Sequence, residues 1–215
     1  MAEAVTTEVT ASIQGVESAD SKAALVQAVA RLAALRHPDA IPTLIRVLGY
    51  NNPGAAVAAV DGLVALGAGA VDSLLTELDG YNYGARAWAI RALALIGDPR
   101  ALPVLLEAAT ADFALSVRRA AARGVGAIEW QLLPVDRVAG AQAEVLQVLL
   151  KVIQDPEWVV RYAAVVSLQT LARTTLTHQS TILTTLESLL IEEPTLAVQA
   201  RAQWALDQLR SQLSP

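Results

Sequence analysis

The 215-residue chain is 54% hydrophobic but only 4% aromatic and carries a formal net charge of −5, so it can bury a sizeable core and lacks the basic surplus that general nucleic-acid binding needs. It has no cysteine, which excludes disulfides, thiolate metal sites and a cysteine nucleophile. Much of the apolar content is Ala, the best helix former, and no stretch of 18 uncharged apolar residues is present, so closely packed helices without a membrane span are expected, in a cytoplasmic protein.

Residues 1–19 form a polar N-terminal cap or flexible segment; the start, MAEAVTTEVTASIQG, has acids where a secretion signal carries bases. From residue 20 to 215 the chain is expected to be a single solenoid. The first copy of its repeat is LVQAVARLAAL from Leu25, followed by HPDAIPTLIRVL. Then VAAVDGLVALG, residues 57–67, superposes on AWAIRALALIG, residues 87–97, at a spacing of 30, with Val60 on Ile90, Leu63 on Leu93 and Gly67 on Gly97. DPRALPVLLEAA from Asp98 matches HPDAIPTLIRVL at a spacing of 61, two repeats on. The block returns as VRRAAARGVGAI from Val117, VRYAAVVSLQTL from Val160 and VQARAQWALDQL from Val198.

Apolar residues fall at helical spacing in each block, as at Ala85, Ala89, Leu93 and Ile96. Gly67 and Gly97 stop such helices, and Pro99 starts the next one. One helix pair cannot bury its apolar face alone, whereas a stack of pairs makes a continuous core. The expected fold is therefore all-α: a right-handed α-solenoid of about five antiparallel pairs, with no sheet. Insertions at Leu132–Ala143 and Thr174–Ser180 are expected to be loops between the helices of one unit, and the polar end from Asp207 is expected to cap the stack.

Arginine outnumbers lysine 14 to 2, and between Arg86 and Arg123 six Arg face three acids, a local balance of +3. Arg86, Arg118 and Arg161 share one repeat position and should form a column, either as a ladder tying repeats together or as forks for an anionic ligand. Tyr81, Tyr83 and Trp88 fall within eight residues, and Tyr50, Tyr81 and Phe113 sit at equivalent repeat junctions. Rings with polar tips suit a flat conjugated ligand or a partner surface, and core packing explains Trp88 or Trp204 equally well. His37 and His178 lack partner spacing and are turn residues; Gly124-Val125-Gly126 follows no strand and is no nucleotide loop. No catalytic triad or metal cage is seen.

The run Tyr81–Ala108, YNYGARAWAIRALALIGDPRALPVLLEA, with its Ala-rich helix, Ile-Gly-Asp-Pro-Arg-Ala turn and Pro-Val-Leu-Leu second helix, resembles the HEAT-like repeat of the phycobilin lyase family. Tyr81–Trp88 is similar to the smaller, F-type subunits of heterodimeric lyases that act on the phycocyanin alpha chain. The resemblance implies a subunit that, beside a larger HEAT-like subunit, binds phycocyanobilin as substrate. It also implies thioether attachment to a cysteine of the phycocyanin alpha chain, with no separate cofactor and no metal. A related branch isomerises the chromophore with a His-Cys pair; Asp79-Gly80-Tyr81-Asn82-Tyr83 has none, which favours ligation alone. Arg86, Arg91 and Arg118 would then meet the propionates, and Tyr81, Tyr83 and Trp88 the rings. Asp79 or Asp98 would serve as catalytic acid at a pyrrole, although both also fit helix-end roles. The alternative is a non-catalytic scaffold or chromophore-binding protein in phycobilisome assembly or degradation.

Overall fold

The computed structural model describes residues 2–78 and 83–213, with side chains for 6–78 and 84–212. Asp79 and Tyr81 lie outside the described residues, and of Tyr83 only the backbone is described. Twelve α-helices and four short 3-10 turns occur among the described residues, with no strand. The chain gathers into two compact units, Met1–Asp98 and Pro99–Pro215, the boundary falling in the Gly97-Asp98-Pro99 turn of the region expected as one array.

Unit one holds α1 (Ala2–Glu17), α2 (Lys22–Ala34), α3 (Ile41–Leu48), α4 (Pro53–Leu66), α5 (Ala68–Glu77) and α6 (Tyr83–Ile96). Here α2 packs on α4 and α4 on α6, while α3 and α5 close the second layer. The caps come from the local sequence. Ser21 Oγ accepts from the Ala24 N–H and Asn52 Oδ1 from the Ala55 N–H, each satisfying a donor the helix start leaves open. Asn52 also donates through Nδ2 to the Lys22 carbonyl, 3.0 Å away, which keys one repeat junction to the next. The N-terminal segment is helix α1, which lays Val9 and Val16 against the array; both are buried.

Unit two holds α7 (Leu102–Ala111), α8 (Leu115–Gly124), α9 (Val135–Val152), α10 (Trp158–Thr174), α11 (Gln179–Glu192) and α12 (Leu196–Leu213). α8 packs on α10 and α10 on α12; α7, α9 and α11 form the other layer. The repeat register is visible in the core. Val117, Ala121 and Val125 have counterparts in Val160, Ala164 and Leu168 and in Val198, Ala202 and Leu206, all at most 2% exposed. Burying each larger apolar side chain contributes about 1.5–3 kcal/mol, so this register holds the array together. Gly126, in the 3-10 turn Val125–Ala127 that follows α8, packs tightly on α10, where an added Cβ would stand 2.5 Å from Ser167. The Ser167 hydroxyl in turn donates to the Ala122 carbonyl at 2.6 Å.

Within unit one α2–α3 and α4–α5 are consecutive pairs, and within unit two α8–α9 and α10–α11 are. Gly67 and Gly97 adopt φ of 60° and 73°, as their role as helix stops requires. The first repeat puts Arg36 at that position, with φ 47°. Two local expectations need correction. Pro99, like Pro38, opens a 3-10 turn, and the α-helix proper begins three residues later with its own proline, Pro103 or Pro42, in the first turn. The Leu132–Ala143 insertion is mostly not a loop: α9 starts at Val135, because Pro134 is the last residue that cannot continue a helix and Asp136 favours the helix start. The Thr174–Ser180 connection is a loop only between Thr174 and Gln179. The C-terminal end from Asp207 continues α12, with Leu209 buried.

Candidate ligand-binding faces

The arginine column is largely spent inside the fold. Arg118 Nε and Nη2 donate to Asp155 Oδ2 and Oδ1 at 2.7 and 3.1 Å, with both side chains nearly enclosed, 13% and 9% exposed. Arg161 repeats the arrangement one unit on, donating to Glu193 Oε2 and Oε1 at 2.8 and 2.7 Å. Each also reaches back through Nη1 to its own junction, Arg118 to the Asp112 and Phe113 carbonyls and Arg161 to those of Asp155 and Pro156. Arg86, half-buried on α6, donates Nη1 to the Leu78 carbonyl at 3.4 Å. The guanidinium of Arg118 is thus committed to Asp155, and the ladder is the role its geometry displays.

The electrostatics agree. Burial pushes the Asp155 carboxyl up, but the Arg118 fork, the Glu157 N–H and the fields of Arg118 and Arg161 together bring it below its usual range. The Arg161 fork holds Glu193 low against its burial, helped by the Thr195 N–H.

On α6 the faces separate. Trp88 and Arg91 are three residues apart and share a face, with the Arg91 guanidinium 5.6 Å from the Trp88 ring centre. Leu95 continues that stripe and is exposed, as is Arg91. Asp98 is buried in the turn that follows α6 and has partners within the fold. His37 caps the Pro38–Ala40 turn by accepting from the Asp39 N–H, and His178 precedes α11. No group of three or more potential metal ligands occurs among the described residues. An open groove of about 240 Å³ beside Lys22, Leu25, Tyr50 and Asn52 is below the size of ordinary small-molecule sites, roughly 300–1,000 Å³.

Sequence reasoning missed a second aromatic–cation pair. On α12 the Arg201 guanidinium lies 4.5 Å from the Trp204 ring centre, again three residues apart. In repeat register Arg201 corresponds to Trp88 and Trp204 to Arg91, so the two pairs occupy the same positions with ring and cation exchanged. The register was available in the sequence. What hid the pair was that an Arg in the position of Ala120 and Ala163 has no visible partner until the helices are stacked.

Stacked helix pairs keyed by buried arginine–carboxylate rungs define a HEAT-type repeat protein. Residues 71–169 match HEAT repeats and residues 24–50 match the PBS lyase HEAT-like repeat. The chain is 53% identical over 205 residues to Phycocyanin alpha phycocyanobilin lyase CpcF of Synechocystis sp., spanning 95% of this chain and 96% of that one. It is 49% identical over 199 residues to Phycocyanobilin lyase subunit beta of Thermosynechococcus vestitus, at 91% and 93% coverage. It superposes on a chain of the CpcE–CpcF complex of phycocyanin lyase from Nostoc sp. PCC7120 with a TM-score of 0.75 and 51% identity, covering 79% of this chain and 99% of that chain. A designed armadillo repeat protein, TM-score 0.55 at 20% identity, shares the fold alone. The chain belongs to the phycocyanobilin lyase subunit family.

Proposed function

We propose that this chain is the smaller subunit of a heterodimeric phycocyanobilin lyase that works beside a larger HEAT-like subunit in the cytoplasm. The pair attaches phycocyanobilin to a cysteine of the phycocyanin alpha chain. The observation that carries this reading is the match to nearly the whole of a chain from the CpcE–CpcF complex. In the reaction the acceptor thiol adds to the ethylidene group of the tetrapyrrole. A C–S bond forms at the ethylidene carbon, the thiol proton ends on the tetrapyrrole, and nothing leaves. This chain has no cysteine, so the sulfur comes from the acceptor.

The chain's own contribution is to hold and orient the chromophore, because fixing two reactants in a near-attack geometry removes much of a bimolecular barrier. On α6 the half-buried Trp88 offers a ring for the conjugated plane and the exposed Arg91 a fork for a propionate. Tyr81 and Tyr83, in the same run of sequence, are assigned to the rings as well. Arg118 and Arg86, engaged within the fold, position the helices and not the ligand. Asp79 is assigned the proton transfer that makes the ethylidene carbon electrophilic, and Asp98, enclosed in its turn, holds that turn.

The test is reconstitution. Chain, larger subunit, phycocyanobilin and apo-alpha chain should together give a coloured adduct that survives denaturation. Omitting this chain should abolish it. Tight bilin binding without any adduct would replace the lyase reading by one of chromophore holding.

A further inference from the structure

Three arginines of unit two are enclosed by the fold, and two of them have carboxylate partners. The third does not. Arg201 on α12 is 8% exposed; its Nη2 donates to Gln169 Oε1 at 2.5 Å, while neither its Nη1 nor Nε2 of Gln169 has a partner among the described residues. The titratable groups acting on it are Tyr162, Arg123 and Arg173, with no acid among them. Burial, reinforced by the two neighbouring cations, pulls its pKa down. No acid among the described residues acts on it, although Asp155 and Glu193 serve the two ladder arginines, Arg118 and Arg161.

An enclosed cation with an unmade hydrogen bond and two like charges nearby is costly to keep, and the equivalent positions of α8 and α10 hold Ala120 and Ala163. The surroundings say what would relieve it. Arg123 and Arg173 are exposed, and their charges draw an anion toward this face. Trp204, which covers the guanidinium, is itself 53% exposed and free on its outer side. Tyr162 presents a second accessible ring with a polar tip.

We propose that Arg201, with Arg123, Arg173, Tyr162 and Trp204, seats a carboxylate borne by a flat conjugated molecule. On the lyase reading above, on which this identification of the ligand rests, that carboxylate is a propionate of the linear tetrapyrrole. Trp204 swings off the guanidinium as the ligand arrives. The carboxylate then takes Nη1 of Arg201 and Nε2 of Gln169, the two donors left open, and the displaced ring stacks on the conjugated plane. The equivalent Trp88–Arg91 pair on α6 gives unit one the same two chemical elements at the same repeat positions.

The experiment uses the full chain co-produced with its larger subunit, titrated with phycocyanobilin and with its dimethyl ester, which keeps the conjugated plane and loses both charges. The wild type should prefer the free acid by roughly tenfold or more, the value of a charge-assisted hydrogen bond. Arg201→Leu should lose most of that preference, keeping only the part that Arg91 supplies, and should unfold at a higher temperature, because the unpaired charge is gone. Arg123→Gln, an exposed change that leaves the fold alone, should reduce the preference by roughly threefold. A full acid preference retained in Arg201→Leu, or a wild type indifferent to esterification, overturns the seat. Failure to form the covalent adduct overturns the lyase reading separately, and the acid–ester preference still decides this one.

Discussion

Arg118 and Arg161, one repeat apart, are bound to the same residue: Asp155 gives its carboxylate to the fork of Arg118 and its main-chain carbonyl to Nη1 of Arg161. Each rung therefore fixes the start of the next, and the register of α8, α10 and α12 is set by charge as well as by packing. Because both side chains of the first rung are enclosed, removing one partner leaves a buried charge. Asp155→Ala should destabilise unit two by about 3–5 kcal/mol in urea unfolding. A loss below about 1 kcal/mol would place the rung with ordinary surface pairs.

The same rungs set an acid limit. Asp155 and Glu193 are held below the usual carboxylate range when folded. Their stabilisation is therefore complete above the unfolded value, about 4, and is lost as pH falls through that value toward the lower folded one. The melting temperature of the chain should be flat from pH 7 to about 5 and fall steeply below about 4. Glu193→Gln should lower the plateau and shallow the fall.

Two backbone positions give opposite outcomes for glycine. Arg36 occupies the left-handed position that Gly67 and Gly97 fill in later repeats, so Arg36→Gly should raise stability by roughly 0.5–1 kcal/mol, strain relief exceeding the added freedom of the unfolded chain. Gly126→Ala drives a methyl into Ser167 and its backbone and should cost about 1–3 kcal/mol, read by thermal unfolding with circular dichroism confirming retained helix.

Ligand binding should separate from stability. Trp88→Leu in the heterodimer should weaken phycocyanobilin binding by roughly threefold to tenfold with the helical signal unchanged, since the ring is half-buried and the proposed binding face uses its outer side. Arg118→Ala should do the reverse: a large loss of stability and no specific loss of affinity at permissive temperature. Equal affinity in wild type and Trp88→Leu would remove α6 from the binding face.

Proton transfer can be read apart from both. Asp79→Asn should slow adduct formation by roughly a hundredfold with phycocyanobilin affinity maintained, the range expected for loss of a general acid. An unchanged rate would remove Asp79 from the chemistry.

The repeat, its helices and its stops were legible because they rest on local physics. Ala-rich stretches with apolar residues every three to four positions have one low-energy form, and Gly67 and Gly97 mark its ends whatever surrounds them. The column of Arg86, Arg118 and Arg161 was equally legible as a column. Its purpose was not, because a fork aimed at a ligand and a fork aimed at Asp155, 37 residues downstream of Arg118, have the same sequence signature. The Leu132–Ala143 insertion misled for a related reason: extra residues relative to a repeat lengthen a helix as readily as a loop, and nothing local distinguishes α9 prolonged at its start from a detour.

What the sequence alone determined, then, was the all-helical repeat, its register and the family resemblance, since each is written in spacing and composition. Tertiary structure alone decided which charges are satisfied. Arg118 and Arg161 find carboxylates only when α8, α10 and the junctions after α9 and α11 come together, and Arg201 finds only Gln169 and a tryptophan ring. Pairing across more than 30 residues depends on distances of about 3 Å, and that precision comes from packed helices and not from any local preference of the chain.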